Sequence, residues 1–261
     1  MRFGFVTDEL SPEPREAIEM ALEWGVRDFE IRNVRGVRFP RFTDDTLDEL
    51  AALREEYDIA YTAVSPGFFK CHLDDTEHIG YALGEGLDIT AEFMEGCEIP
   101  LMICFGFEAA TGEDHQAVDL LRCLAERMTE HHLSVAIENE THCKVDTPDR
   151  IAAFVREIGC PNLGANWDLG NLKEGAPQGF PEGYEVVKPF VFNVHAKDVA
   201  LLPNGETEWK PIGEGLCDWR GQMSALARDG IVEHVTIENH CGPPERVGRH
   251  NLEALSGYLG S

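Results

Sequence analysis

Eight short apolar runs that alternate with helical periodicity set the strongest limit on what this chain can fold into. The runs occupy residues 3–6, 28–31, 59–64, 101–104, 134–137, 163–167, 191–194 and 234–237. Amphipathic stretches at 12–24, 44–57, 76–96, 114–131, 148–158 and 218–229 separate them, and 246–258 closes the chain. Strands joined by crossover helices pair in parallel. Eight of them can form an open doubly wound sheet or a closed barrel. A nucleotide-binding open sheet would carry a Gly-rich phosphate loop after its first strand, but Thr7-Asp8-Glu9-Leu10 stands there. The expected fold is α/β, a single (β/α)8 TIM barrel, with residues 1–261 as one domain. Such barrels take about 250 residues, and this chain has 261.

Local signals agree, with one weak link. Ser11-Pro12-Glu13 and Thr147-Pro148-Asp149 each put proline at an expected first helical position, and Asp218 is an expected cap. The weak link is 173–188, rich in Gly and Pro, where a sixth helix belongs; 181–187 is expected to give only a short one.

Four of the runs close on a potential metal ligand: Ser134-Val-Ala-Ile-Glu138, Leu163-Gly-Ala-Asn-Trp-Asp168, Val191-Phe-Asn-Val-His195 and His234-Val-Thr-Ile-Glu238. A parallel strand that ends in such a residue delivers it to the barrel mouth, where the βα loops converge. Three carboxylates and one imidazole gathered there would hold one divalent cation. Mn²⁺ or Mg²⁺ is favoured by the oxygen-rich set, and Zn²⁺ or Co²⁺ is compatible with it.

The formal charge is −26, from 48 acidic and 22 basic residues. A field of that sign repels polyanions, so neither nucleic acid nor an anionic membrane is an expected partner. Six of the 22 basic residues are lysine, a composition suited to a high-salt cytoplasm. None of the eight cysteines forms a C-x2-C or C-x4-C pair, which points to reduced structural thiols. The N-terminus enters a strand with no signal-peptide core, and no stretch approaches 18 apolar residues. The expected location is cytoplasmic. A homo-oligomer is compatible with these features.

The chain resembles the xylose isomerase-like TIM barrels, the sugar isomerase and epimerase group that includes an apurinic endonuclease branch. The resemblance rests on Val135-Ala-Ile-Glu138-Asn139, Trp167-Asp168-Leu-Gly-Asn171, Val194-His195-Ala-Lys197-Asp198, Pro211-Ile-Gly213-Glu-Gly215-Leu-Cys-Asp218-Trp219 and Thr236-Ile-Glu238-Asn-His240, with Glu30-Ile-Arg32 earlier. It implies that Glu138, Asp168, His195 and Glu238 bind one divalent metal. It further implies that Glu138 and Glu238 are the acid/base pair, moving a proton through a metal-stabilised enediolate of a small keto-sugar, polyol or related hydroxy-carbonyl compound. Isomerase or epimerase is the expected class. A dehydratase acting on a keto-sugar or keto-inositol is the alternative, because an enediolate can also expel a β-hydroxyl. A non-catalytic sugar-binding barrel and an apurinic endonuclease are further rivals. Asn171 replaces the His of an Asp-x-x-His pattern, which weakens the endonuclease reading.

Further residues are substrate-contact candidates. Lys197 falls on the same side as His195 by strand alternation, and would hold a substrate oxygen or form a salt bridge to Asp198 or another acid. Glu140 and His142 lie in the loop after Glu138, Asn171 follows Asp168, His240 follows Glu238, and Glu214 lies in the 211–219 segment. Arg27, Arg32, Arg35, Arg38 and Arg41 crowd 15 residues of an acidic chain. They read either as a rim for a carboxylate- or phosphate-bearing substrate, with Arg32 foremost, or as ion pairs to acids such as Asp44 and Asp45. Phe68, Phe69, Phe105, Phe107 and Trp167 would wall a sugar face or pack the barrel.

Overall fold

The computed structural model describes residues 1–259, so the last two residues of the expected domain lie outside it. The eight runs become barrel strands β1 (Arg2–Val6), β2 (Asp28–Ile31), β5 (Ala60–Val64), β6 (Leu101–Cys104), β7 (Ser134–Glu138), β8 (Leu163–Asp168), β9 (Val191–Ala196) and β12 (His234–Ile237). They close in the order β1-β12-β9-β8-β7-β6-β5-β2, every neighbour parallel. The fold is the expected (β/α)8 barrel. Two hairpins at the mouth escape a reading based on periodicity: β3 (Asn33–Val34) with β4 (Val37–Arg38), and β10 (Asp198–Leu201) with β11 (Thr207–Lys210).

The outer helices are α1 (Pro14–Glu23), α2 (Asp44–Tyr57), α3 (Thr76–Ala82), α4 (Glu85–Gly96), α5 (Asp114–Glu130), α6 (Pro148–Ile158), α9 (Trp219–Asp229) and α10 (Pro244–Leu259). Thr147 caps α6 by accepting from the Arg150 N–H, and Asp218 caps α9 through the Gly221 N–H. Two expectations need correction. The first helix starts at Pro14, not Pro12, because the Ser11 hydroxyl accepts the Glu13 N–H and donates to Glu16, holding that turn outside the helix. The single helix expected over 76–96 is two, broken at Gly84, whose φ −122° and ψ −121° are not helical. Between β8 and β9 lie only short pieces, among them α7 (Ala176–Gln178) and α8 (Tyr184–Val187), interrupted by non-helical Lys173 and Phe180.

Alternation along each strand sorts the side chains. Val135, Ile137, Ala165, Trp167, Val194, Val235 and Ile237 pack outward against the helices in the main core. Ala63, Leu101, Ile103 and Ala136 form a separate apolar cluster. Toward the mouth the inward face turns polar: Asn166, Asn193 and Thr236, all fully buried, each precede a ligand candidate by two residues. Register shifts fall between Phe29 and Glu30 and between Ala165 and Asn166, beside the site. Such irregularities re-aim side chains, and they recur next to active sites. No described helix is long and apolar enough to cross a membrane.

Candidate metal centre

The ladder fixes the four strand-end residues. Asp168 stands opposite His195, Glu138 opposite Asn166, and Thr236, two before Glu238, opposite His195. One ligand atom from each of Glu138, Asp168, His195 and Glu238 lies within 4.8 Å of all the others, and all four residues are buried. The sequence expectation that they share one face holds.

Second contacts aim these groups. Asn139 Nδ2 donates to the Asp168 carbonyl at 2.7 Å while its Oδ1 accepts the Asp168 N–H at 2.9 Å. Asn171 Nδ2 donates to Glu138 Oε1 at 2.9 Å. His195 Nε2 meets Glu30 Oε2 at 2.8 Å, and Glu30 is fully buried. The opposite ring nitrogen, Nδ1, has no hydrogen-bond partner and lies 3.7 Å from Glu138 Oε1 and 3.6 Å from Glu238 Oε2. An imidazole that donates one N–H to a carboxylate and presents its other nitrogen to an acidic cluster is the usual arrangement of a metal-ligating histidine. Asp168 Oδ2 is likewise buried, its close contact being the Lys197 ammonium at 2.8 Å. The donor set fits a divalent ion.

Cations share the same carboxylates. Lys197 Nζ lies 2.8 Å from Asp168 Oδ2 and 2.6 Å from Glu238 Oε2. Asp198, the alternative partner, is engaged elsewhere: its carboxylate accepts backbone N–H groups of Val199, Gly213, Gly215 and Cys217, and so anchors the 211–219 segment. Gly170 leaves room for the lysine stem, since a Cβ there would come within 2.6 Å of Lys197 Cγ. Arg32 Nη1 also contacts Glu238, and its Nη2 contacts Asp8 at 2.9 Å and Glu9. Its partners are thus these three acids, not Asp44 or Asp45. His240 Nε2 is 3.0 Å from Glu238 Oε1, and Trp209 of β11 stacks on the His240 ring at 5.0 Å.

Burial would raise every carboxylic acid here, and the neighbours decide the outcome. For Glu138 the His195 and Lys197 charges outweigh burial, leaving it below the ordinary range. For Glu238, Lys197, His240 and Arg32 carry it well below. Asp168 goes the other way, to about 7, because burial and the Glu138 and Glu238 charges exceed the help of Lys197. Burial would lower His195 and Lys197, but Glu30 and Glu138 raise the first and Asp168 and Glu238 raise the second, each well above its ordinary value.

A cavity of about 150 Å³ opens above the cluster, lined by Glu138, His195 and Glu238 together with Arg32, Arg38, Ser65, Lys70, Phe105, Glu140, Asn171, Lys173, Lys197, Trp209 and His240. All five candidate contact residues, Lys197, Glu140, Asn171, His240 and Arg32, therefore face it. Glu140 is paired there with Lys70 at 2.6 Å. His142 and Glu214 are exposed and outside this lining. Of the aromatic residues read as a wall, only Phe105 lines the cavity; Phe68, Phe69, Phe107 and Trp167 are packing. Glu30, Asn139, Gly170, Ser65 and Trp209 have site roles that the sequence reading did not assign. Glu30 alone carried a usable signal, an acid at an inward position of a strand run.

The family model described as the xylose isomerase-like TIM barrel matches residues 18–258. Comparison with curated proteins found no match. Among solved structures, the IOLI protein with a bound zinc atom superposes with TM-score 0.79 at 17% identity, covering 100% of this chain and 98% of that one. D-allulose 3-epimerase from Methylomonas sp. in complex with D-allulose gives 0.78 at 13%, covering 99% and 97%. The probable 3-DHS dehydratase AsbF from Bacillus anthracis gives 0.77 at 17%, covering 98% and 99%. At these identities the superpositions show a shared fold. With the family model spanning almost all of it, the chain belongs to the xylose isomerase-like TIM barrel family.

Proposed function

We propose that the protein is a divalent-metal-dependent isomerase or epimerase of a small keto-sugar, polyol or related hydroxy-carbonyl compound. The observation that carries this reading is the buried convergence of Glu138, Asp168, His195 and Glu238 within 4.8 Å under one small cavity. A divalent ion held by these four would supply Lewis-acid polarisation of a substrate carbonyl, which acidifies the adjacent C–H.

The chain's own residues then divide the work. Glu138 and Glu238 are both ionised at neutral pH, so each can accept a carbon-bound proton. They are not equal bases. Glu238 directly contacts Lys197, Arg32 and His240, whereas Glu138 accepts a hydrogen bond from Asn171 and has His195 as its close cationic neighbour at 3.7 Å. A carboxylate stabilised by several cations is the weaker base. Glu138 therefore removes the proton, and Glu238, after taking up a proton from solvent, returns one to the enediolate while Glu138 releases its own to solvent. The Lys197 ammonium is placed to steady negative charge on a substrate oxygen. The small cavity, about 150 Å³ against the roughly 300–1,000 Å³ of drug-sized sites, suits a compact substrate.

Proton exchange tests the reading directly. The metal-loaded protein in D₂O should place deuterium at the carbon beside the carbonyl of a keto-sugar, inosose or hydroxypyruvate, followed by NMR. Glu238→Gln should lower exchange by about 10²- to 10⁴-fold, the usual contribution of a positioned acid or base. Full exchange in a Glu238→Gln protein that still holds metal would sink the assignment. Loss of water from the product instead of reprotonation would make the enzyme a dehydratase.

A further inference from the structure

Five arginines cluster between residues 27 and 41, and the structure gives them different fates. Arg27 donates to the carbonyls of Tyr57 and Asp58. Arg35 pairs with Glu13 and Glu49 on the surface, and Arg41 lies over the Tyr81 ring at 4.0 Å. Arg32 is neutralised by Asp8, Glu9 and Glu238. Arg38 differs from all of these. It lines the cavity, yet among the described residues its hydrogen-bond partner is a serine: Nε donates to the Ser65 carbonyl at 2.8 Å and Nη2 to Ser65 Oγ at 2.9 Å. No described carboxylate pairs with it.

A guanidinium has five N–H donors in a rigid fork, and the two bonds to Ser65 leave three uncommitted. The group is also held in place. Gly67, at φ +76°, lies against it so closely that a Cβ there would come within 3.4 Å of Nε. Burial and the Arg32 charge push Arg38 down to about 10 against the pull of Asp8, Glu138 and Glu238, so it stays charged at neutral pH with no described carboxylate in direct contact. Removing a cation from water without a partner is unfavourable. In a chain with 48 acidic residues, a nearby carboxylate would have been an easy remedy.

We propose that Arg38 reads a carboxylate or phosphate on the substrate, so that the cavity selects anionic hydroxy-carbonyl compounds over neutral sugars. The proposal rests on the isomerase reading of this cavity and names its substrate class. The oxyanion would accept the free N–H groups of a preorganised fork, the geometry in which arginine binds such groups best. The protein's overall negative field makes a local cation the more necessary for an anion to dwell there.

Calorimetric binding of matched pairs to the metal-loaded full chain tests it. D-xylulose against D-xylulose 5-phosphate probes phosphate; dihydroxyacetone against hydroxypyruvate probes carboxylate. At least one charged partner should bind about 10- to 100-fold tighter than its neutral match, the worth of a hydrogen-bonded charge. Which pair shows the preference identifies the group. Arg38→Met should abolish the preference, the charged partner losing about 10- to 100-fold more affinity than its neutral match, and Arg38→Lys should restore part of it. Equal binding within both wild-type pairs would overturn the proposal whether or not the variants fold, as would a preference that survives Arg38→Met. Deuterium exchange measured on the same compounds separates the two readings. A charge preference without exchange in any compound removes the isomerase and keeps Arg38 as the anion contact. Exchange into neutral sugars with equal binding keeps the isomerase and removes the anion contact.

Discussion

The two sides of the barrel mouth are built differently. On one side β7, β8, β9 and β12 deliver Glu138, Asp168, His195 and Glu238 at or directly after strand ends, where the hydrogen-bonded ladder fixes the backbone. On the other, β1 and β2 lead into a short 3-10 turn and a hairpin that deliver Asp8, Glu9, Arg32 and Arg38. The first side is suited to chemistry, which needs fixed distances, and the second to recognition, which loops carry in most barrels. They meet where β1 and β2 approach β12 and β9. Glu30 holds the His195 ring, and Arg32 holds Glu238.

Breaking that seam at Glu30 should have the largest effect. Glu30→Gln keeps the shape but weakens the grip on the His195 Nε2–H. Metal affinity should fall about 10- to 100-fold, as for other outer partners of ligating histidines. Titration of the full chain against a chelator of known affinity would measure it. An unchanged affinity would show that His195 is oriented by the barrel alone, and that the two sides are independent.

The ligand side was legible in sequence because strand geometry has a short period. A carboxylate or imidazole that ends a β-branched run must face the mouth, so Glu138, Asp168, His195 and Glu238 could be placed by counting. Lys197 followed by the same alternation, although its partners did not. Nothing in the order Asp8, Glu9 and Arg32 says that they converge, since a 3-10 turn and a hairpin lack the periodicity that exposes a strand or helix. The arginine run shows the limit most clearly. Sequence gives five equal charges, and only the closed barrel separates Arg32, matched by three acids, from Arg38, matched by none. Trp209 was hidden for the same reason, on a hairpin that lies outside the barrel sheet.

The pH dependence of metal uptake sharpens the comparison on the ligand side. His195 is raised well above its ordinary value and Asp168 to about 7, so before a metal binds the first holds its proton at neutral pH and the second is partly protonated. Ligation requires the deprotonated forms. The unloaded protein thus binds more protons than the loaded one, and affinity must rise with pH through neutrality. The rise is up to about tenfold per pH unit for each proton released. Calorimetry in buffers of different ionisation enthalpy counts those protons. Glu30→Gln should flatten the slope, because Glu30 is the largest favourable influence on the His195 proton. A pH-independent affinity would exclude both residues as ligands.

The smallest effect belongs to Arg35, three residues from each of the two arginines that face the cavity. It sits at the hairpin turn with φ 52°, and Gly36 follows at φ 78°, the paired left-handed conformations of a type I′ turn. Its ion pairs to Glu13 and Glu49 are at 2.8 Å but largely exposed, with the Arg35 side chain 42% accessible. Exposed pairs contribute about 0–1 kcal/mol. Arg35→Asn loses them and gains a residue that tolerates the left-handed region better. The two changes oppose each other, so stability by urea unfolding should shift by less than about 0.5 kcal/mol, and metal and substrate binding should not move. A loss in substrate binding comparable to that of Arg38→Met would mean that the whole run acts as a diffuse cationic rim. The distinction between a bound fork and its surface neighbours would then collapse.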